Sequence, residues 1–265
     1  MPKTLTRILI AVSFLVGIAA GIPLSGSHGP RQPLPRRTIA GVSVVDTPLV
    51  RAAQQYMRDH SNQPVYKHIM RSWLFGTLMV NNNATLAALV DPEVQAVSLL
   101  LHDLGFDQSP DSPITSTDRR FEVDGAIAAR HFIRDHRDGR RWEERRVQLV
   151  WDAIALHTEQ SYARYKEPDV AAVSTGIFMD FAGPSNGVTP SQYNTVVAEF
   201  PNSDLRQSVQ DVFTWICSTK PIVTYGVSHS QQSNTFLQPF GERFVANYSA
   251  VGHRTIDFVL GPPQA

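Results

Sequence analysis

Prolines that directly follow helix-capping residues constrain the fold of this chain more than any other sequence feature. Thr47-Pro48, Asp91-Pro92 and Thr189-Pro190 each combine a residue suited to the N-cap with proline at the first helical position. Apolar residues then recur at helical spacing, whereas the two-residue alternation typical of strands is scarce. The sequence therefore predicts an all-α protein with one globular helical domain over residues 41–260.

The first 24 residues have a different composition from the rest of the chain. Lys3 and Arg7 precede fifteen apolar or small residues at positions 8–22, which predicts a cleaved secretory signal peptide over residues 1–24. Residues 25–40 are rich in Pro, Ser and Arg and are predicted to form a flexible leader. The apolar stretch is shorter than the about 20 residues of a membrane span. An uncleaved anchor is the alternative, but we expect a secreted protein without stable membrane association.

Composition also limits the partners and the cross-links of the chain. The formal net charge is zero, which gives no basis for binding nucleic acid through bulk electrostatics. Cys217 is the only cysteine and lies in an apolar run, so we expect a buried thiol and no intramolecular disulfide. Asn83 and Asn247 begin N-x-S/T sequons and are predicted glycosylation sites in a secreted eukaryotic protein.

His102 and Asp103 follow an apolar helix in the stretch SLLLHDLGFD, residues 98–107. A buried aspartate costs several kcal/mol unless it is paired or bound to a cation. A neutral histidine beside it supplies a nitrogen ligand, and such a pair suits Zn²⁺, Mn²⁺ or Fe²⁺. The alternative is an ordinary helix end, where the histidine interacts with the helix dipole and the aspartate faces water.

Three further polar residues stand alone among apolar residues of predicted helices. They are His68 in VYKHIMRSWLFG, His157 in VWDAIALHT and Asp180 in STGIFMDFAG. One such residue is more often a hydrogen-bonded core residue than a metal ligand. Several helices that carry matching residue types favour a shared site, because a set of two histidines and two aspartates fits one divalent ion with room for water.

The order of His68, His102-Asp103 and Asp180 resembles the H…HD…D pattern of the HD superfamily, a group of metal-dependent helical hydrolases. The likeness extends over about residues 40–185 and is closest to the cyanamide hydratase-like branch. It is carried by the segments HIMRSWLFG, LLLHDLGFD, RFEVDGAIAA, VWDAIALHT and KEPDVAAVSTGIFMD. The resemblance implies that residues 41–260 form a single HD-type helical metal-binding domain.

The resemblance also implies the cofactor and its ligands. The ligands would be His68, His102, Asp103 and Asp180, each on the position that matches the family motif. The cofactor would be one divalent metal ion, zinc in the hydratase-like branch, with Fe²⁺ or Mn²⁺ as the alternatives.

The chain departs from dinuclear HD relatives at Phe121. Those relatives begin this helix with a histidine, followed by glycine four residues later, and here Gly125 follows Phe121 at that spacing. Phenylalanine cannot bind a metal, so we predict one ion and not two. His157 matches the position of an extra ligand in those relatives, and with one ion we expect it to be a polar group of the pocket.

Glu122 and Asp124 lie in the first turn of the helix that starts at Phe121. They are predicted either to form hydrogen bonds to the metal ligands without contacting the ion, or simply to favour the start of the helix by interacting with its dipole. We expect Arg71, which follows His68 by three residues, to pair with one of these two acids.

The implied activity is that of a secreted metal-dependent hydratase or hydrolase, in which metal-activated water attacks a small molecule such as cyanamide or a nitrile. Asp103 is expected to accept a proton from the water, and His157 to donate one to the developing nitrogen anion. The main alternative is phosphohydrolysis of a nucleotide or phosphate ester, which Lys67 and Arg71 beside His68 favour. A non-catalytic secreted helical domain is the third interpretation.

Overall fold

The computed structural model describes residues 33–224, 237–248 and 250, and these residues form an all-α fold with one small sheet. The described residues from Leu34 onward belong to a single compact unit. The predicted signal peptide lies outside the described residues. The elements are β1 (Arg36–Ile39), β2 (Val42–Val45), α1 (Pro48–Asp59), α2 (Gln63–Asn81), α3 (Ala84–Leu89), α4 (Pro92–Leu101), α5 (Phe121–Asp135), α6 (Glu144–Ala155), α7 (Gln160–Ala163), α8 (Pro168–Ala182), α9 (Pro190–Glu199), α10 (Leu205–Thr219), α11 (Pro221–Thr224) and α12 (Gln238–Phe244).

The predicted helix starts are confirmed at all three capping residues. The side chain of Thr47 accepts a hydrogen bond from Val50 N at the start of α1, and Asp91 accepts from two backbone N–H groups at the start of α4. Thr189 forms a reciprocal capping box with Gln192 at the start of α9. Local sequence thus determines where these helices begin, because the caps satisfy N–H groups that have no partner within the helix.

A β-hairpin replaces the last part of the predicted leader, so the leader is wrong for residues 36–40. β1 pairs antiparallel with β2, and Ala40 and Gly41 form the turn with φ of 45° and 74°. Positive φ at both central residues matches the right-handed twist of a two-residue hairpin. The hairpin is ordered because Val42 and Val44 are buried in the core.

Helices α2 and α8 cross at a close contact between two glycines. A Cβ atom on Gly176 would lie 2.7 Å from Cα of Gly76, which leaves no space for a side chain at the crossing. His68 and Arg71 precede this crossing on α2, and Asp180 follows it on α8. The close approach therefore brings these three side chains together at one end of the helix pair.

The C-terminal part of the described chain contains a helix where the sequence predicts a loop over residues 225–241. Residues 225–236 of that segment lie outside the described residues, but α12 begins at Gln238, so the prediction is wrong for 238–241. Leu237 anchors this helix because it is buried, and Cys217 Sγ donates a hydrogen bond to its carbonyl over 3.3 Å. The predicted burial of Cys217 is confirmed. In the described part of the chain, every helix is too short or too polar to span a bilayer.

Candidate metal centre

His68, His102 and Asp103 form a buried group that could hold a metal ion. His68 projects from the second turn of α2, and the other two residues follow the last turn of α4. Their exposed fractions are 7%, 0% and 2%. The apolar positions of α4 keep this end of the helix in the core, so the polar residues that follow it are buried as well.

The distances within this metal-binding group match the geometry of a bound ion. His68 Nε2 lies 3.3 Å from His102 Nε2, and Asp103 Oδ2 lies 3.5 Å and 3.1 Å from these two nitrogens. Ligands about 2.0–2.2 Å from a tetrahedral zinc ion are about 3.3–3.6 Å apart. The three atoms therefore have close to the spacing that one shared cation requires.

The Nδ1 atoms of both histidines, which point away from Asp103, donate hydrogen bonds to other acceptors. His102 Nδ1 donates to the Leu99 carbonyl over 2.8 Å, and His68 Nδ1 donates to Asp180 Oδ2 over 2.7 Å. In the neutral rings, Nε2 then carries the lone pair, and both lone pairs face Asp103 Oδ2. Asp103 Oδ2 is buried and, while both rings are neutral, has no hydrogen-bond partner. A shared cation, either a proton on one of the rings or a metal ion, would satisfy these three atoms together.

The electrostatics of the group show how strongly it attracts positive charge. Burial is the largest effect on both His102 and Asp103, and it opposes charge on each. The attraction between the two residues and the hydrogen bonds outweigh burial, so the pKa of His102 is raised and the pKa of Asp103 is lowered. A divalent ion would take the place of the proton that this arrangement otherwise holds.

His157, which follows the end of α6, lies next to the metal-binding group. Its Nδ1 donates to the Ile154 carbonyl over 2.7 Å, and its Nε2 lies 3.6 Å from Asp103 Oδ1. Burial first, and then the charge of His102, lower the pKa of His157 to about 4. His157 is therefore neutral near pH 7, with the lone pair of Nε2 directed towards Asp103. A role as proton donor requires that it first take up a proton.

Phe121 occupies the position at which dinuclear HD proteins are expected to carry a histidine. Its ring is fully buried and lies edge-on to His157, with 5.5 Å between the ring centroids. A Cβ atom on Gly105 would lie 2.1 Å from the Phe121 carbonyl oxygen, so the start of α5 packs directly on the turn that follows Asp103. This part of the pocket wall is apolar.

Asp180 contacts the metal-binding group through His68. Its two oxygens accept hydrogen bonds of 2.6 Å and 2.7 Å from Arg71, and Oδ2 also accepts from His68 Nδ1. Burial raises the pKa of Asp180, but the hydrogen bonds from His68 and Arg71 outweigh it and lower the pKa. In this arrangement Asp180 orients the His68 ring and fixes its tautomer.

The predicted pairing of Arg71 with Glu122 or Asp124 is wrong. Arg71 is fully buried and forms its ion pair with Asp180, and it also donates to the carbonyls of Phe200 and Pro201. The reason is tertiary, because the close crossing of α2 and α8 brings Asp180 to Arg71.

Glu122 and Asp124 are buried, but their hydrogen bonds go to residues outside the metal-binding group. Glu122 accepts from Arg120 and Thr158, and it lies close enough to His157 to favour protonation of that ring. Asp124 accepts from Lys220 Nζ over 2.5 Å. The sequence carried no signal for Lys220, because a lone lysine at a helix end is normally exposed.

The two predicted glycosylation sites are at the surface. Asn83 is exposed and is the N-cap of α3, where its side-chain oxygen accepts from Leu86 N over 3.0 Å. Asn247 is exposed and has a φ of 59°. Glycosylation of either residue stays a prediction.

An open cavity of about 550 Å³ lies on the side of α8 and meets the group through Asp180, the hydrogen-bond partner of His68, and not through the three residues themselves. Asp180 and Phe181 line it, and the Phe181 ring lies 5.2 Å from the His68 ring. The remaining lining residues come from α10, α12 and the segment before α10. The cavity thus reaches the residues that surround His68.

A scan against models of protein families finds no match for this chain, and a search of curated proteins finds none either.

Proposed function

We propose that this protein is an HD-type metal-dependent enzyme that hydrates or hydrolyses a small molecule. The observation that carries the proposal is the convergence of His68 Nε2, His102 Nε2 and the unpartnered Asp103 Oδ2 within 3.1–3.5 Å. The all-α fold and the order of these residues along the chain agree with the HD resemblance. Two nitrogens and a carboxylate oxygen favour zinc, with Fe²⁺ or Mn²⁺ as the alternatives.

The residues of this chain fit such a cofactor. A divalent ion bound at His68, His102 and Asp103 would supply Lewis-acid activation of a water molecule. Asp180 holds the His68 ring through Nδ1. His157 has an accepting lone pair beside Asp103 Oδ1, so it is suited to take up a proton and to return it to the substrate. The apolar ring of Phe121 on its other side limits access of bulk water.

Two charge pairs favour hydration or hydrolysis of a small molecule over phosphohydrolysis. Lys67, which could have bound phosphate, forms an ion pair with Asp204. Arg71 is fully buried and saturated by Asp180 and two carbonyls. Neither cation is free to bind phosphate at the metal-binding group. Phe121, moreover, cannot hold the second ion that often binds phosphate in dinuclear enzymes.

The first experiment is elemental analysis of the purified full chain beside its Asp103→Asn variant. We expect about one zinc or iron per chain in the wild type and less than about one tenth of that in the variant. The matched control is Asp111→Asn, because Asp111 is exposed and lies outside the group. No metal after reconstitution with zinc would contradict the proposal, and two ions per chain would contradict the single-ion site.

Turnover assays separate the three candidate activities. Cyanamide and acetonitrile are assayed for urea and acetamide, and 4-nitrophenyl phosphate for phosphate release. Turnover of cyanamide or a nitrile that is lost in Asp103→Asn supports the proposal. Turnover of the phosphate ester alone would favour phosphohydrolysis, and metal binding without turnover in a panel of nitriles, amides and esters would favour a non-catalytic domain.

Secretion is part of the same proposal and rests on the basic and apolar composition of residues 1–24. Sequencing the N-terminus of the protein recovered from the medium of an expressing eukaryotic host tests it. We expect the mature chain to begin close to residue 25. Retention of the full chain in the cell would contradict it.

A further inference from the structure

The cavity beside the metal-binding group combines an apolar wall with two cationic side chains. Phe181, Val209 and Phe240 contribute to the apolar part, and Arg206 and Arg243 bring guanidinium groups from α10 and α12. A volume of about 550 Å³ lies in the range of cavities that enclose small organic ligands. The cavity is thus suited to a molecule with an apolar body and a polar end.

Arg206 and Arg243 differ from the other arginines near the group in having no anionic partner. Within the described part of the chain, neither guanidinium forms a hydrogen bond or an ion pair, and Arg243 only lies over the Phe244 ring at 5.3 Å. Arg71 and Arg120, by contrast, are each paired with a carboxylate. Two unpaired positive charges at one cavity attract an anion.

The acids near the cavity do not neutralise these two arginines. Asp180 lines the cavity, but its side chain is fully buried and bound to Arg71 and His68. Asp204 is bound to Lys67, and Glu242 accepts from Gln238 Nε2 over 2.8 Å. The positive charge of the cavity therefore remains available to a ligand.

We propose that this cavity binds a small organic anion as the substrate of the metal site. The apolar body would contact the rings of Phe181 and Phe240, and a carboxylate or phosphate that is not itself hydrolysed would bind Arg206 and Arg243. This inference rests on the proposed function, because it names the substrate class of that same site. The shared chemistry is an anionic head on an apolar body, and the experiment separates the two kinds of head.

The test is isothermal titration calorimetry on the zinc-loaded full chain with three probes of one shape. They are 1-naphthaleneacetate, its neutral analogue 1-naphthaleneacetamide and 1-naphthyl phosphate. We expect at least one anion to bind at least about tenfold more tightly than the amide, because charge-assisted hydrogen bonds to arginine are stronger than neutral ones. Equal binding of all three, or no binding of either anion, would overturn the proposal.

Variants assign the binding to the two arginines. Arg206→Gln and Arg243→Gln are each expected to weaken anion binding about three- to tenfold, and the double variant more than either, with little effect on the amide. Arg145→Gln is the matched control, because Arg145 is an exposed arginine that does not line the cavity. Unchanged anion binding in the double variant would overturn the assignment.

Metal content separates this proposal from the proposed function. If zinc is bound but the anions are not, only the substrate class is wrong. If the anions bind in the arginine-dependent manner to a chain that holds no metal, the binding site stands and the metal-dependent activity fails.

Discussion

Asp103 and Asp124 are two buried aspartates, one just after α4 and the other in the first turn of α5. They differ in the partners that neutralise their charge. Asp124 accepts hydrogen bonds from Ser116, Arg119 and Lys220, so its charge is neutralised within the chain. Asp103 has an oxygen without any hydrogen-bond partner, and it faces two histidine nitrogens. Both pay the desolvation penalty of a buried charge, but Asp124 is paired with a lysine and an arginine, whereas Asp103 has only histidines beside it.

Burial of an acid does not by itself indicate a metal site. Glu122 and Asp180 are as buried as Asp103, yet each is bound to an arginine. What distinguishes Asp103 is the unsatisfied oxygen together with two neighbouring histidines that could bind the same metal ion. Four predictions, in decreasing order of effect, test this difference.

Removing the Asp124 carboxylate should destabilise the protein most. Asp124→Ala leaves Lys220 buried, with 2% exposure, and unpaired, which costs about 3–5 kcal/mol of the free energy of unfolding. Urea unfolding followed by circular dichroism measures the loss, and Asp111→Ala is the surface control. A loss below about 1 kcal/mol would mean that the pair contributes little.

Zinc should stabilise the wild type but not a chain without its ligands. At a free zinc concentration 100 times the Kd, binding adds about 2.7 kcal/mol, which raises Tm by roughly 5–11 °C for a chain of this size. We expect no such rise in His102→Ala. Asp124→Ala, although less stable, should keep the full rise. A zinc-dependent rise that survives in His102→Ala would place the ion elsewhere.

Asp180→Asn should weaken zinc binding without abolishing it. A carboxylate that orients a ligating histidine contributes about 10–100-fold in metal affinity, and competition with a chelating dye measures the Kd. Complete loss of binding would instead mean that Asp180 contacts the ion directly, as the HD resemblance implies. The stability of the variant is measured in parallel, because Arg71 then loses its anionic partner.

The smallest expected effect is the contribution of Asp124 to the pH dependence of the free energy of unfolding at acid pH. Burial raises the pKa of Asp124, but the hydrogen bonds from Lys220, Ser116 and Arg119 outweigh it and lower the pKa below the usual 3.8. The stabilisation is therefore complete above pH 3.8 and is lost as the pH falls through the lower folded-state value. The difference in urea midpoint between wild type and Asp124→Asn should shrink below pH 3.8. A difference that stays constant down to pH 2 would contradict this linkage.

The sequence predicted much of the candidate site because its residues are polar side chains within, or directly after, otherwise apolar helices. His68, His102 and Asp103 could be selected for that reason, and the structure brings them together. The same reasoning could not pair Arg71 with Asp180 or Asp124 with Lys220. Those partners lie 109 and 96 positions apart in the chain, and no local pattern encodes such contacts.

What the sequence determined by itself is the helical class and the start of several helices, because caps and proline act within one turn of the chain. It also singled out His102 and Asp103 at the end of an apolar helix, but only the structure decided that both are buried. The tertiary structure alone decided which acids are neutralised and which oxygen is left without a partner. It likewise decided that Arg206 and Arg243 face one cavity, because helix packing brings together side chains that are distant in sequence.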